Sequence, residues 1–204
     1  MNRVNPFLPR FISSFSALAI ERFQLIKSLI INYQQVKPLA ISLATGLAFL
    51  TWYGLSLPRP LFKVSISQVV EDARGELLSA RIAADGQWRF PAPDSIPVVY
   101  REALIEFEDR HFYHHQGVDP LALLRAIFQN LKQGSIVSGG STISMQVIRM
   151  ARGNRSRSIS QKIIEAILAT RLEFGYSKKQ VLNLYAANAP FGGNVVGLEA
   201  ASWR

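Results

Sequence analysis

The segment "EFEDRHFYHHQGVDP", residues 106–120, joins two predicted helices and holds much of the chain's titratable chemistry. It contains adjacent carboxylates at Glu108 and Asp109 and all three histidines of the sequence. Asp119 followed by Pro120 is typical of a helix start, because aspartate caps the first amides and proline fits the first turn. This segment is compatible with three interpretations: a metal site, an acid/base site or a polar helix cap.

Glu108 is the residue of this segment best suited to acid/base chemistry. In a continuous helix, Glu108, Phe112 and His115 share one face. An aromatic neighbour excludes water from a carboxylate and raises its pKa towards the range useful for a general base. We therefore expect a desolvated Glu108 held by a hydrogen bond from His115. The simpler alternative is a solvated Glu108–Asp109 pair at a helix end.

A metal site built on the histidines is less well supported. His111 and His115 are four residues apart, but the zinc-protease pattern needs glutamate where Phe112 stands. Glu108 and His111 have the spacing of a di-iron half-site, which needs a second copy of the pair on another helix. With no histidine elsewhere, the sequence supplies no second copy.

The loop "SGGSTISMQ", residues 138–146, is the second chemical motif. Its glycines and hydroxyls precede a predicted helix that carries Gln146 and Arg149. Unpaired amides and the helix dipole attract anions at such a junction, so the loop predicts an anion cradle, with a flexible capped loop as the alternative. Lys162 and Glu165, three residues apart on a helix, indicate a surface ion pair, or a phosphate-binding lysine beside a second carboxylate.

The remaining pattern predicts a mainly α domain, residues 98–204, behind a short β-rich neck, residues 58–97. Two loosely alternating stretches, 64–70 and 76–83, are typical strands separated by a turn. Several short helices follow, two of them opened by S-x-x-Q capping boxes at Ser158 and Ser177. The buried stripe of the first helix is expected at Tyr100, Ala103, Leu104 and Phe107.

Residues 38–57, "PLAISLATGLAFLTWYGLSL", form the predicted membrane span. They carry no charge, and 20 residues at helical rise reach about 30 Å, one hydrocarbon core. Five basic residues and one acid precede the span, so the positive-inside rule places the N-terminus in the cytoplasm and the rest outside. Residues 1–37 are predicted to form an amphipathic helix on the inner leaflet, because apolar residues recur there at helical spacing.

The amino-acid composition excludes some kinds of site and partner. The 204 residues include no cysteine, which excludes disulfides and zinc–thiolate sites within this chain. Part of the formal charge of +9 belongs to the cytoplasmic flank, and no RNA-binding motif is present, so we expect no nucleic-acid partner. A second basic cluster, "RMARGNRSR" at 149–157, is expected to meet anionic phospholipid or a diphosphate.

Three motifs, in order and spacing, resemble the peptidoglycan glycosyltransferases of family 51, the polymerising domains of class A penicillin-binding proteins. They are E-D-x-x-F-x-x-H-x-G from Glu108 to Gly117, G-G-S-T-I-S-M-Q at 139–146, and K-x-x-E from Lys162 to Glu165. "DGQWRFP" and "APFGGNVVGLEAASWR" are similar to the 1C branch of these proteins. The resemblance runs from about residue 58 to residue 204.

The resemblance implies a lysozyme-like glycosyltransferase domain that joins lipid II into β-1,4 glycan strands and releases undecaprenyl pyrophosphate. It implies Glu108 as the base, Glu165 as a second catalytic carboxylate, and a membrane-touching jaw, which we expect in "ISMQVIRMARGNRSR" at 143–157. The substrate-binding positions that the motifs imply are Asp109, Phe112, His115, Gly117, Gly140, Ser141, Thr142, Gln146, Arg149, Lys162 and Tyr185.

The implied partners are lipid II, the growing glycan strand, the membrane and other cell-wall synthesis proteins. The implied location is the bacterial cytoplasmic (inner) membrane, crossed once, with the catalytic domain in the periplasm or other extracytoplasmic space. The sequence requires no cofactor, and a divalent cation, Mg²⁺ or Mn²⁺, at the pyrophosphate is left open.

The sequence departs from the family at its C-terminal part. The usual Y-L-N reads Tyr185-Ala186-Ala187, with Asn188 as a possible substitute, and Gln161 stands where many relatives have arginine. Neither the last family motif nor a transpeptidase S-x-x-K is among the 204 residues, so the sequence is interpreted as truncated. Two alternatives stay open: a membrane-anchored lytic transglycosylase, and a non-catalytic scaffold that binds lipid II.

Overall fold

The computed structural model describes residues 8–92, 95–135, 137, 139–155 and 158–203. Within them it has seven α-helices and one two-stranded sheet, which confirms the prediction of a mainly α chain. The elements are α1 Leu8–Leu55, β1 Gln68–Glu71, β2 Leu77–Arg81, α2 Val98–Glu108, α3 Pro120–Gln133, α4 Ile143–Ala151, α5 Ile159–Gly175, α6 Lys178–Asn188 and α7 Leu198–Trp203.

Helix α1 contains the candidate membrane span, Val36–Leu55, which has a mean hydropathy of 1.4 and begins and ends two residues before the predicted one. Hydroxyls within it bond back to the helix, as when Thr45 Oγ1 donates to the Ile41 carbonyl at 2.9 Å. Such bonds keep polar groups satisfied in an apolar medium. The helix runs through Pro38 without a break, so no helix end separates residues 8–37 from the span.

Residues Met1–Trp52 and Tyr53–Arg204 form two compact units. The second unit begins with the last turn of α1. There the Tyr53 hydroxyl lies 2.9 Å from the Thr170 hydroxyl, and Arg171 donates to the carbonyls of Tyr53 and Gly54. These bonds fix the start of the second unit to α5. Most side chains of the predicted amphipathic helix lie outside the described residues, so its place on the leaflet stays a prediction.

The predicted β-rich neck is confirmed as an antiparallel hairpin with a bulge between Val70 and Glu71. Its turn is stabilised by Asp72, whose carboxylate accepts from the backbone amides of Arg74 and Glu76. Beyond the hairpin, the Trp88 amide donates to the Asn194 carbonyl at 2.7 Å. The neck is therefore part of the same unit as the helices that follow it.

Helix α4 is the centre of the core, so the membrane-touching jaw expected in residues 143–157 is wrong for the stretch from Ile143 to Ile148, while for the rest of it the jaw stays a prediction. Ile143, Val147 and Ile148 have no exposed surface. They belong to a cluster with the buried apolar side chains of α5 and α6. Burying each such side chain contributes roughly 1.5–3 kcal/mol to the stability of the fold, so these residues favour a place inside the domain.

One exposed apolar surface lies on α3. Four side chains of that helix, which we call the α3 apolar face, are 63–77 % exposed: Leu121, Leu124, Phe128 and Leu131. Ala126 turns towards the core and is 3 % exposed. A patch of this kind marks a contact with protein or lipid.

The predicted buried stripe of α2 is correct in part. Leu104 is buried and Tyr100 packs against the core, but Phe107 is 90 % exposed and Ala103 is also exposed. Helix α2 ends at Glu108, so Phe107 lies in its last turn, where the core no longer covers it.

Replacing Asp119 with alanine is expected to lower the unfolding free energy by about 1 kcal/mol, the usual effect of losing a helix N-cap. The Asp119 carboxylate accepts from the amides of Leu121 and Ala122 at 2.9 and 3.0 Å. Burial raises the pKa of Asp119, but the Ala122 amide, the His111 ring and the Leu121 amide outweigh it, so the pKa lies below its ordinary 3.8.

Because the folded pKa is depressed, this stabilisation is complete above pH 3.8 and is lost as the pH falls through the folded value. Denaturant unfolding in detergent between pH 3 and pH 7 measures it. Asp119→Asn is the control, since it keeps a capping acceptor and should retain most of the stability at neutral pH. Equal stability of the alanine variant and the wild type at pH 7 would contradict the capping role.

Candidate active site

Glu108 lies at the end of α2 and lines a cavity of about 290 Å³ between α2, α3 and the glycine-rich loop. Its Oε2 accepts a hydrogen bond from Gln146 Nε2 at 2.7 Å, which links α2 to α4. In the part of the chain that the structure describes, no ion pair joins Glu108 to a cation. The carboxylate is exposed and held by a neutral amide, which suits a group that must accept a proton from a bound molecule.

The predicted face shared by Glu108, Phe112 and His115 is wrong, because α2 stops at Glu108 and the chain continues as a 3-10 turn, Phe112–His114. His115 Nε2 lies 2.9 and 3.0 Å from the two carboxylate oxygens of Asp109. The histidine therefore orients Asp109 and not Glu108. The Phe112 ring is fully buried. It packs beneath the site, and the expectation that it contacts substrate is not supported.

The predicted anion cradle at the start of α4 is largely occupied by the protein itself. The Ile143 amide donates to Asp109 at 3.1 Å, and the Met145 amide donates to Thr142 Oγ1 at 3.2 Å. Thr142 in turn donates to the Gly117 carbonyl at 2.6 Å. The anion at this helix start is Asp109, which ties the first motif to the second.

Two motif glycines allow close backbone packing. A Cβ on Gly117 would lie 2.4 Å from the Ala169 carbonyl carbon, and its φ of +86° is rare for other residues. A Cβ on Gly140 would lie 2.8 Å from the Leu123 Cα, so this glycine lets the loop rest on α3. Both positions shape the cavity through the backbone. Ser141, next to Gly140, also lines the cavity, and its contact with substrate stays a prediction.

Lys178, at the start of α6, stabilises the loop after Glu108, and no local pattern in the sequence predicts this role. Its Nζ donates to the His115 carbonyl at 2.6 Å, pairs with Glu173 at 2.6 Å and lies 4.3 Å above the Phe112 ring. Glu173 also accepts a hydrogen bond from the Ser144 hydroxyl. This part-buried network joins the loop after Glu108 to α4, α5 and α6, and so fixes the loop.

A second group of charges lies further along α4, outside the lining of the cavity. Arg149 donates to both carboxylate oxygens of Glu165 at 3.2–3.3 Å. The predicted surface pair between Lys162 and Glu165 is therefore wrong, because Glu165 is buried and pairs with Arg149. Among the described residues, Lys162 forms no ion pair. Arg149 is three residues beyond Gln146 on α4, so the two lie on the same side of the helix.

Burial and the negative charge of Glu108 raise the pKa of two nearby tyrosines, Tyr100 and Tyr185. The Tyr185 hydroxyl donates to Gln146 Oε1 at 3.5 Å. Burial, then the charge of Glu108 and then Tyr100 raise the pKa of Tyr185 to about 12. Burial and the same carboxylate raise the pKa of Tyr100. Both phenols therefore stay protonated at neutral pH. From the sequence, Tyr100 is predicted only as a core residue. Asn188, the possible substitute for the asparagine of the usual Y-L-N motif, donates to the Leu184 carbonyl of its own helix.

Glu108→Gln is expected to lower the pKa of both Tyr100 and Tyr185. A nearby negative charge disfavours the phenolate, so removing that charge leaves only the effect of burial and of the other tyrosine. Titration of the labelled tyrosine rings by NMR measures the two values. Glu106→Gln is the control and should leave both unchanged. Identical tyrosine pKa values in Glu108→Gln and the wild type would contradict the proximity of this carboxylate.

Across the described ranges, no group of three or more His, Asp or Glu side chains is close enough to hold a metal ion. Hard cations such as Mg²⁺ take six oxygen ligands and usually keep several waters. A divalent cation at the diphosphate therefore stays a prediction.

The fold and this site are those of a protein family that joins or cleaves glycan chains. The transglycosylase family matches residues 75–204, which is more than half of the chain, and the chain belongs to that family. Its domain is lysozyme-like, as the sequence predicted.

Within the family, the chain is 39 % identical over 168 residues to penicillin-binding protein 1C of Escherichia coli (strain K12), covering 81 % of this chain and 22 % of the relative. It is 38 % identical over 133 residues to penicillin-binding protein 1A of Aquifex aeolicus (strain VF5), covering 65 % and 18 %. It is 36 % identical over 113 residues to a monofunctional glycosyltransferase of Staphylococcus aureus (strain JH9), covering 55 % and 42 %. The chain thus spans less than half the length of each of these relatives.

Proposed function

We propose that the chain is a peptidoglycan glycosyltransferase that polymerises lipid II into β-1,4-linked glycan strands. The observation that carries the proposal is the carboxylate of Glu108, which is exposed in a cavity, accepts a hydrogen bond from Gln146 and forms no ion pair among the described residues. This is the arrangement that a general base for a sugar hydroxyl requires. Membership of the transglycosylase family and the names of its relatives support the same reaction.

In the proposed reaction, Glu108 accepts the proton of the 4-hydroxyl of the acceptor sugar. The hydroxyl oxygen forms a bond to the anomeric carbon of the donor while the bond from that carbon to the diphosphate oxygen breaks. The electron pair of the broken bond leaves with undecaprenyl pyrophosphate. Attack opposite the leaving group inverts the anomeric configuration and gives the β linkage.

The leaving diphosphate gains negative charge, so it needs nearby cations that are already in place. Lys162 and Arg149 are the proposed partners. Arg149 is held by two oxygens of Glu165, which fixes its guanidinium without occupying all five of its donors. Glu165 therefore acts in this proposal as a positioning residue for Arg149. The neutral phenol of Tyr185 similarly positions Gln146.

We also propose a single crossing of the bacterial cytoplasmic membrane through Val36–Leu55, with the N-terminus in the cytoplasm. The bias of basic residues before the span supports this topology. The α3 apolar face, and not α4, is the proposed membrane-touching surface, because its large side chains are exposed. Growing glycan strands and other cell-wall synthesis proteins are the proposed partners outside the cell membrane.

The experiment that tests the function offers the chain two substrates in detergent, labelled lipid II and purified sacculi. A polymerase lengthens lipid II and leaves sacculi intact. Soluble muropeptides from sacculi would instead identify a lytic transglycosylase. Binding of lipid II without any lengthening would identify the non-catalytic scaffold.

A further inference from the structure

Lys178 holds the backbone of the loop after Glu108, residues 109–119. Its Nζ donates to the His115 carbonyl at 2.6 Å. A cavity of about 340 Å³ borders the same stretch and is lined in part by Tyr113, His115 and Lys178. Side chains leave space on this side of the loop, whereas close packing is what normally fixes a segment. The bond from Lys178 therefore supplies a restraint that packing does not.

Lys178 is itself held in place by two neighbours. Its Nζ pairs with Glu173 at 2.6 Å, and the side chain of Glu173 is 5 % exposed. The same ammonium lies 4.3 Å from the centre of the fully buried Phe112 ring. A cation is attracted to the face of an aromatic ring, and a buried carboxylate needs its partner cation. The geometry of Lys178 is therefore defined, unlike that of an exposed lysine.

One path from Lys178 to the proposed base runs through Asp109. His115, which accepts from Lys178 at its carbonyl, also places its Nε2 2.9 Å from the Asp109 carboxylate. Asp109 directly follows Glu108 in the chain and accepts from the Ile143 amide at 3.1 Å. Helix α2 ends at Glu108, so the position of the base depends on where Asp109 is held.

A second path runs through α4. Glu173, the ion-pair partner of Lys178, accepts a hydrogen bond from the hydroxyl of Ser144, a fully buried residue of α4. Gln146, two residues further along α4, donates to the Glu108 carboxylate at 2.7 Å. The base and the amide that holds it are therefore both connected to Lys178.

We propose that Lys178 is a positioning residue for the base: its bonds to the His115 carbonyl and to Glu173 hold the Glu108 carboxylate where it accepts the proton of the sugar hydroxyl. The proposal rests on the function proposed above. The described lining of the cavity that contains Glu108 does not include Lys178, so the lysine acts through the loop and α4 and not on the substrate. Removing it should slow the reaction without weakening the binding of lipid II.

Two variants that differ only at position 178 test the proposal: Glu173→Gln alone, and Glu173→Gln together with Lys178→Met. Neither leaves a buried carboxylate without its cation, so both should fold, which denaturant unfolding checks. The position of the base is read from Tyr185, whose pKa is raised to about 12 by burial, by the charge of Glu108 and by Tyr100. In the double variant, titration by NMR should show this pKa falling towards its value in Glu108→Gln, because the carboxylate is released. Loss of the Lys178 charge alone would raise a phenol pKa, which is the opposite direction.

Polymerisation of lipid II gives the second readout. Relative to Glu173→Gln, the double variant should lose about 10- to 100-fold in kcat, the effect of a displacement of about 1 Å, with KM within about twofold. Lys178→Arg should retain much of the wild-type rate, because a guanidinium keeps the charge, the donors and the contact with an aromatic ring. Lys179→Met removes an exposed charge from the next position of α6 and should leave both readouts unchanged.

Three results overturn the proposal: a Tyr185 pKa in the double variant equal to that in Glu173→Gln, a loss of rate that lies in KM alone, or an equal loss in Lys179→Met. The tyrosine titration needs no turnover. Absent polymerisation by the wild type would therefore overturn the proposed function, while a fall in the Tyr185 pKa would still show that Lys178 positions Glu108.

Discussion

Glu108→Gln is expected to lower the rate of lipid II polymerisation by about 10²–10⁴-fold, the usual contribution of a general base. Glutamine has nearly the same shape and can still bond to Gln146, whose amide contacts the carboxylate at 2.7 Å. Lipid II should therefore bind with close to wild-type affinity. Rates at saturating lipid II and equilibrium binding of a fluorescent lipid II, measured on the same preparation, separate the two effects.

Glu106→Gln is the matched control for this result. Glu106 lines the same cavity two residues away, is exposed, and pairs with Arg110 at 2.7 Å. An exposed pair of this kind contributes little, so the rate should stay within about twofold of the wild type. Near-normal polymerisation by Glu108→Gln would remove this residue from the role of base. Equal losses in both variants would show a general effect of cavity charge.

Gly117→Ala is expected to lower the unfolding free energy by roughly 2–5 kcal/mol, the largest stability effect among the substitutions considered. The φ of +86° costs an alanine about 1–2 kcal/mol. The new Cβ would also lie 2.4–2.6 Å from the backbone of Ala169 and Thr170, and relieving such overlap costs a further 1–3 kcal/mol or so. Denaturant unfolding in detergent, followed by tryptophan fluorescence, measures the loss.

Gly75→Ala separates the two causes. Gly75 has nearly the same φ, +82°, but a Cβ there would meet nothing within 4 Å. This variant should lose only the backbone part, about 1–2 kcal/mol. A loss in Gly117→Ala no larger than that in Gly75→Ala would show that the loop is free to move away from α5, against the close packing described here.

Local signals in the sequence predicted the elements that local chemistry determines. Asp119 and Pro120 mark the start of α3, and the Ser177–Gln180 capping box is present at α6. An uncharged run of 20 residues predicted the span to within two residues. The two helix starts depend on neighbours within about five positions, and the span depends on one unbroken apolar run; a sequence displays both directly.

Contacts between distant segments could not be predicted in this way. Periodicity extended α2 through His115, but the helix ends at Glu108, where Asp109 leaves the helix to bond with the start of α4. The apolar and basic residues of α4 suggested a membrane surface, whereas the apolar ones fill the core. Lys178 acts across 63 residues on His115, a separation at which a single sequence gives no signal.

Gel-resolved polymerisation of labelled lipid II by the full 204-residue chain, beside Glu108→Gln in equal amount, shows whether the chain is a working transferase with Glu108 as its base. We expect a ladder of glycan products from the wild type, digestible by lysozyme, and none from the variant. The absence of a ladder from the wild type while lipid II is bound would contradict a working transferase. Ladders of equal intensity from both proteins would contradict Glu108 as its base.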